Sequence, residues 1–383
     1  MTIFGFVKDI ASILLLLGAG QGIFFSFVLL GISNNQRRAY FWLASFLILF
    51  SISMVGTVLY DQQLVVRFPH LGLITAPMGI ALGVMLYLYI KTLAEKNYRF
   101  TGWQYLHLLP VGISIGILMP FYLLPLEEKR MVLKNSYDGY PLLWKVNFIF
   151  STIINSCYLV LTILRVTRHE RHIQQLFSNT EHKSLLWVKH FIYAGIGTFV
   201  SCIVFSLFDI AAADTISNVM FSFVIYIMGY RALKQPEIFS GLSEQIVDST
   251  DEPSLVKLPV KYSKSSLTEE RAKVLLVQLD ELFYKEKIFL EPELTLPQLS
   301  ERLGITPHQV SQLLNQFKKQ TFFDFVNGFR VEHFKVEVKK PENAHLSLLA
   351  LAFDSGFNSK AAFNTVFKKL TGNTPSSFRD SSK

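Results

Sequence analysis

Charge is scarce in this chain. Only 17% of its 383 residues are Asp, Glu, Lys or Arg, against about 25% in a soluble domain. Cysteine is nearly missing. The two that occur, Cys157 and Cys202, both sit in strongly apolar stretches, so a disulfide framework is excluded and the compartment cannot be read from them. There is no Gly-rich phosphate loop, kinase signature or pair of catalytic carboxylates. No catalytic residue, metal site or cofactor is therefore assigned. Hydrophobic residues fill the space instead: half the chain is apolar, 34 residues are Phe, and the mean hydropathy is +0.33. This excludes a disordered chain or a disulfide-stapled miniprotein and points away from a soluble enzyme toward a membrane protein. The net charge of +8 fits basic inner loops, acidic lipid or nucleic acid as its cause.

Before Ser240, seven uncharged apolar runs recur between short polar loops: Ile10–Ile32, Ala39–Tyr60, Leu71–Ile90, Trp103–Leu126, Val146–Leu164, Phe191–Phe208 and Thr215–Tyr230. Most reach the ~20 residues a bilayer-crossing helix needs. The first run resembles a signal peptide, but only Lys8 stands before it and the apolar stretch continues to Ile32. A retained helix is expected there. One set of loops carries 12 Lys and Arg and the opposite set 6. The richer side is read as cytoplasmic, which places the N-terminus outside and everything after Arg231 inside. Asp209, a carboxylate at the outer end of the sixth run, is the candidate signal-sensing residue, because intramembrane charge is costly; solvation at the interface is the equal alternative.

Residues 241–265 read as a linker rich in Gly, Ser, Asp and Pro. From residue 266 a small helical domain is expected to run to residue 383. Its first helix, Glu269 to Tyr284, has Val274, Leu275, Leu279, Leu282 and Phe283 as its apolar set. An internal repeat follows. Thr306-Pro307 opens a helix with Val310, Leu313, Leu314 and Phe317 as one stripe, and Ser359 opens another with Phe363, Val366, Phe367 and Leu370. The offset is 53 residues, and it also relates Thr321 to Thr374 and Phe325 to Phe378. A shorter helix precedes each copy: Leu296–Leu303, capped by Thr295 and ended by Gly304, and Ser347–Phe353, ended by the turn at Gly356. Helix, Gly-containing turn and second helix make a helix-turn-helix. Two in tandem favour DNA binding over plain packing. Between the copies, Phe322–Val338 buries Phe322, Phe325, Val326 and Phe329 with its first half and presents Val331, Phe334 and Val338 half a turn away. Such a helix holds two units rigidly apart.

The segments LSERLGITPHQVSQLLNQF, FFDFVNGFRVEHF and LALAFDSGFNSKAAFNTVFKKLTGNTPSSFR resemble the DNA-binding domain of AraC/XylS-type bacterial transcription regulators. Gly356-Phe357, Phe363, Phe367-Lys368-Lys369, Gly372, Thr374-Pro375 and Phe378-Arg379 fall at the family's second-motif positions, and Arg330-Val331 matches the basic-apolar pair of its bridging helix. The likeness covers about residues 267–380, a third of the chain, and the whole resembles membrane-anchored members of the family. Departures stand out. Lys319 replaces a helix-ending Gly, Thr365 an Arg, Phe334 a small residue and Glu337 an apolar one.

A recognition helix turns its solvent face to base edges in the major groove. In the first copy that face offers His308, Gln309, Ser311, Gln312 and Gln316; in the second, Lys360, Ala361, Asn364, Thr365 and Lys368. Gln and Asn pair with adenine, and small residues touch the thymine methyl. Lys318, Lys369 and Arg379 are the candidate phosphate contacts. The fold class expected is all-α: a seven-helix transmembrane bundle (1–240), a linker (241–265) and a tandem helix-turn-helix domain (266–383). The function expected is a regulator in the bacterial inner membrane that couples a membrane or extracytoplasmic signal, through the linker, to promoter DNA. Its expected partners are double-stranded DNA, the lipid bilayer, RNA polymerase and a second copy of the chain. The alternative is a transporter or channel with a regulatory tail, kept open by Pro77, Pro110 and Pro120.

Overall fold

The computed structural model describes residues 3–32, 36–94, 102–134, 141–181, 183–207, 220, 222–223, 227, 229–231 and 267–381. The described elements are helical, with no strand among them. The chain divides into two compact units. One comprises Met1–Arg168 and Leu185–Ile238; the other comprises His169–Ser184 and Phe239–Lys383.

The first unit is built from α1 (Ile3–Gly31), α2 (Arg37–Asp61), the short α3 (Leu64–Arg67), α4 (Thr75–Ala94), α5 (Leu109–Tyr122), α6 (Leu126–Lys134), α7 (Pro141–Leu176) and α8 (Leu186–Leu207). Their apolar runs leave the backbone few polar side chains to compete for its hydrogen bonds. Several of the hydroxyls they do contain bond back to their own helix: Ser51 donates to Leu47 O, Thr92 to Leu88 O and Thr162 to Tyr158 O. Helices α1 and α2 approach closely through Gly22, where an added Cβ would collide with the Ser51 hydroxyl. Small residues give tightly packed apolar helices this closeness. Across helices, the buried Ser114 donates to Asn147 Oδ1 at 2.7 Å. Asn155 donates to Ser151 on its own helix.

Five stretches have the length and hydropathy of a membrane span: Asp9–Gly31, Arg37–Asp61, Pro69–Ala94, Gly102–Tyr122 and Leu142–Leu176. Seven were expected. The sixth expected run forms α8, a 22-residue helix. Most of the seventh, with Asp209 and the 241–265 linker, lies outside the described residues. Helix α7 overruns its expected end at Leu164 by twelve residues, because nothing from Arg165 to Leu176 breaks a helix. At 36 residues it is about 54 Å long at 1.5 Å per residue, and its turns from His169 onward belong to the second unit.

The second unit follows its sequence closely. It contains α9 (Glu269–Tyr284), α10 (Leu296–Leu303), α11 (Pro307–Gln312), α12 (Phe322–Glu337), α13 (Leu348–Asp354), α14 (Lys360–Thr371) and α15 (Pro375–Ser381). Thr295 and Thr306 each close a capping box with the Gln three residues on. Thr321, Ser347 and Ser359 cap their helices through the side chain, and Thr374 Oγ1 accepts from Ser377 N as Thr321 Oγ1 accepts from Asp324 N. The 53-residue offset thus repeats the caps as well as the stripes. Val310, Leu313 and Leu314 are buried, as are Phe363, Val366 and Phe367. The fourth members, Phe317 and Leu370, are exposed in both copies, because each stripe ends where its helix leaves the core. Val274 is likewise exposed, and Ala272 takes its place on the buried face of α9.

Helix α12 divides its two faces between two cores. Phe325 and Phe329 lie 4.8 and 4.9 Å from the Phe283 ring, on the side of the first helix-turn-helix. Phe334 lies 4.7 Å from Phe363 and 5.4 Å from Phe367, on the side of the second. Each fully buried Phe is worth about 1.5–3 kcal/mol, so a helix anchored at both ends by such rings is a stiff spacer. Phe334, where the family has a small residue, fills the second core together with Leu351, Ala352 and Phe357.

Candidate nucleic-acid interface

In each copy a short helix leads through a turn into a second helix with an outward face. Gly304 makes the first turn at φ +64° and Gly356 the second at φ +91°, backbone that L side chains enter at a cost. Gly356 is also sterically required: an added Cβ would meet Leu290 Cα at 2.9 Å and Arg330 Nε at 3.0 Å.

The two recognition surfaces differ. On α14, Lys360, Ala361, Asn364, Thr365 and Lys368 are all exposed, on one side of the helix, opposite the buried Phe363, Val366 and Phe367. On α11 and the π-helical turn that continues it, Leu313–Lys318, the expected face is only partly free. Gln316 is exposed, and His308, Gln309 and Ser311 are half-buried. Gln309 Oε1 accepts from Thr306 N at 2.9 Å and closes the capping box. Gln312, expected on the outward face, is buried and donates its amide to Gln316 Oε1 at 3.1 Å. The wider π turn rotates the face away from ideal 3.6-residue spacing.

Two of the three candidate phosphate contacts are ion-paired within the unit: Lys318 with Asp280 at 3.1 Å and Lys369 with Asp324 at 2.6 Å. Arg379 is half-buried, with its Nε enclosed and lacking a hydrogen-bond partner. Exposed pairs of this kind are worth about 0–1 kcal/mol, little enough for a phosphate to displace the carboxylate.

The residue that organises the site is named in the sequence only as a basic match of the bridging helix, with no role attached to it. Arg330 is one of the most deeply buried large side chains among the described residues. Its Nε donates to Phe289 O at 2.7 Å and Nη1 to Asn327 Oδ1. Nη2 donates to Glu291 O at 2.6 Å and to Ser178 Oγ at 3.1 Å. Burial lowers its pKa to about 10, against the pull of Glu293, so it stays charged at neutral pH. It ties α12 to the segment that leads into α10, and it lies 5.9 Å from the Phe357 ring of the second copy. The available signal was a lone cation where the two apolar faces of the bridging helix change over. Near its end, Glu337 accepts from Lys340 at 2.7 Å and from Asn343 at 3.0 Å. These partners supply the polar contacts that let a carboxylate stand at an apolar position of the family.

Among the described residues no three His, Cys, Asp or Glu gather as metal ligands. His169 is buried, with Nε2 3.0 Å from Lys183 O.

Residues 299–381 match the helix-turn-helix domain family of the AraC type. An uncharacterized HTH-type transcriptional regulator of Staphylococcus aureus (strain COL) is 28% identical over 93 residues, covering 24% of this chain and 12% of that protein. The counterpart from strain MSSA476 gives the same identity and coverage. The HTH-type transcriptional regulator GlxA of Rhizobium meliloti (strain 1021) is 26% identical over 95 residues, covering 25% of this chain and 28% of its own. The chain therefore spans about an eighth of the staphylococcal relatives and about a quarter of the Rhizobium one. No solved structure matches it. The likeness is to proteins named as HTH-type transcriptional regulators, and it is confined to the helix-turn-helix region.

Proposed function

We propose that this chain is a membrane-bound, sequence-specific DNA-binding regulator of transcription in the bacterial inner membrane, with its N-terminus outside and its helix-turn-helix domain (266–383) in the cytoplasm. The single observation that carries the reading is the pair of helix-turn-helix units held on the two ends of one stiff helix, α12. Such a pair meets successive major grooves about 34 Å apart. Asn364 and Thr365 supply base contacts of adenine and thymine preference. Lys318 and Lys369 exchange their carboxylate partners for phosphates, and Arg379 supplies a third phosphate contact. The membrane reading rests on the five apolar spans and on the two-to-one bias of basic residues between loop sets. A bundle at 1–240 then senses a signal from the membrane or from outside, Asp209 being the candidate sensor, and RNA polymerase and a second copy of the chain are the expected partners on DNA.

Genome-wide DNA crosslinking of the intact protein tests this. Asn364→Ala with Lys368→Ala is expected to lose most peaks, because both side chains are exposed and neither supports the core. Peaks that persist unchanged in the double variant would undercut the assignment.

A further inference from the structure

The second unit contains one segment that belongs in sequence to the apolar half: His169–Ser184, the end of α7 and the turn that follows it. This turn is seated in a specific polar socket. Ser178 donates from its Oγ to Leu294 O at 2.7 Å and from its backbone N at 3.2 Å. Its carbonyl accepts from Asn327 at 2.9 Å, and its Oγ accepts from Arg330 at 3.1 Å. Asn179 donates to Glu293 Oε1 at 2.7 Å and Lys183 to Glu293 Oε2 at 3.4 Å. Phe177 and Thr295 form an antiparallel β-bridge. Phe177, Ser178 and Asn179 are all buried.

The socket is the joint between the two helix-turn-helix units. Glu293 also accepts from Asn358, which precedes the cap of α14, at 2.6 Å. Arg330 binds Phe289 O and Glu291 O, against which the Gly356 turn of the second unit is packed. Withdrawal of the turn would take the Ser178 hydroxyl from a buried guanidinium N–H and the Ser178 carbonyl from the Asn327 amide, which keeps only Phe323 O, and unsatisfied buried donors are costly. The joint is therefore sensitive to whether this turn is present.

We infer that the 177–184 turn is the port through which the apolar bundle sets the relative orientation of the two DNA-reading units, so the signal travels down α7 and not along the 241–265 linker. This rests on the regulator reading above and supplies its coupling route. Helix α7 runs unbroken from Pro141 to Leu176, so an axial shift or rotation of its apolar part moves Phe177–Asn179 in their socket. In sequence the linker leads into the DNA-reading domain ahead of its first helix, α9. The turn reaches the bridging helix itself.

The test uses the full chain in its native membrane, with Cys157→Ser and Cys202→Ser removing the native thiols and a reporter driven by a promoter recovered by crosslinking. Asn179→Cys with Glu293→Cys, joined by a short bis-maleimide, locks the turn in place. Ser178→Ala with Asn179→Ala loosens it, as does Glu293→Ala alone, which removes a largely exposed side chain and leaves the core intact. We expect the cross-link to form in membranes. Locking and loosening should move reporter output, per membrane-bound chain, at least fivefold in opposite directions, while a Gly/Ser linker of equal length at 241–265 leaves regulation in place. The inference is overturned by failure of the cross-link, by output within twofold in all three variants, or by loss of regulation on linker replacement alone. If the unmodified chain occupies no promoter, the regulator reading fails, and the cross-link still reports separately whether the turn is seated.

Discussion

Lys319 shows how one residue records a mismatch between sequence and backbone. It ends the first recognition helix at φ +54°, in the left-handed region, and Gly372 ends the second at φ +76°, 53 residues later in the repeat. A side chain in that conformation costs about 1–2 kcal/mol, part of which glycine returns as unfolded-state entropy. Lys319→Gly is therefore expected to stabilise the second unit by about 1 kcal/mol, read as a higher urea midpoint or as stronger amide protection at the end of α11. Unchanged or reduced stability would mean that the lysine side chain has a compensating role. The position was legible before any fold was known, because the residue type breaks a repeat. Gln312 was not. Helical spacing places it outward, yet it is buried with its amide bonded to Gln316, a packing contact that the stripe of apolar residues does not reveal. Arg330 was visible as a matched basic residue, but its burial depends on carbonyls from 289 and 291 and a hydroxyl from 178, contacts that no local pattern contains.

At the scale of elements, the bridging helix was the most legible part, since its two apolar half-faces dictate two cores and the structure provides them. The same helix carries a pH-sensitive group. His333 lies under Phe289, with Nδ1 3.3 Å from Ser355 Oγ and Nε2 3.6 Å from Glu337. Burial lowers its pKa below the ordinary 6.5, the pull of Glu337 and Asp354 being outweighed by desolvation with Lys287 and Lys340 nearby. The unfolded chain therefore binds the proton before the folded one does. The stability contribution is whole above about 6.5 and is lost as pH falls from there through the depressed folded value. Glu337, held below the usual carboxylate range chiefly by its hydrogen bond from Lys340, adds its own loss only in more acidic solution. Amide exchange in α12, corrected for intrinsic rate, is expected to be faster at pH 5.5 than at pH 7.5, and His333→Gln should flatten that difference. An equal slope in the variant would assign the effect elsewhere. Helix α7 was legible as an apolar run of span length but its continuation past Leu164 was not, because hydropathy registers where apolar sequence ends and not where the helix stops.

For the whole molecule, the charge that first suggests nucleic acid belongs mostly to the other half. Residues 1–240 carry 18 basic and 11 acidic residues, and residues 241–383 carry 19 and 18. A surplus concentrated in alternate loops is the pattern of topology, whereas a DNA surface needs only a local patch. The loop with the most basic residues, between Arg165 and Lys189, also contains the turn seated on Arg330 and Glu293. On the proposed reading, orientation and regulation make one joint demand: that loop and the helix-turn-helix units have to be on the same side as the DNA. Fluorescent-protein fusions after Lys183 and after Arg231 are accordingly expected to fluoresce, and alkaline phosphatase fused after Lys134 to be active outside the cell. Phosphatase activity after Arg231 would put the recognition helices on a side without DNA and remove the basis of the regulator reading. Activity after Lys183 with fluorescence after Arg231 would spare that reading and rule out the 177–184 turn as its port, since turn and socket would then face opposite sides of the bilayer.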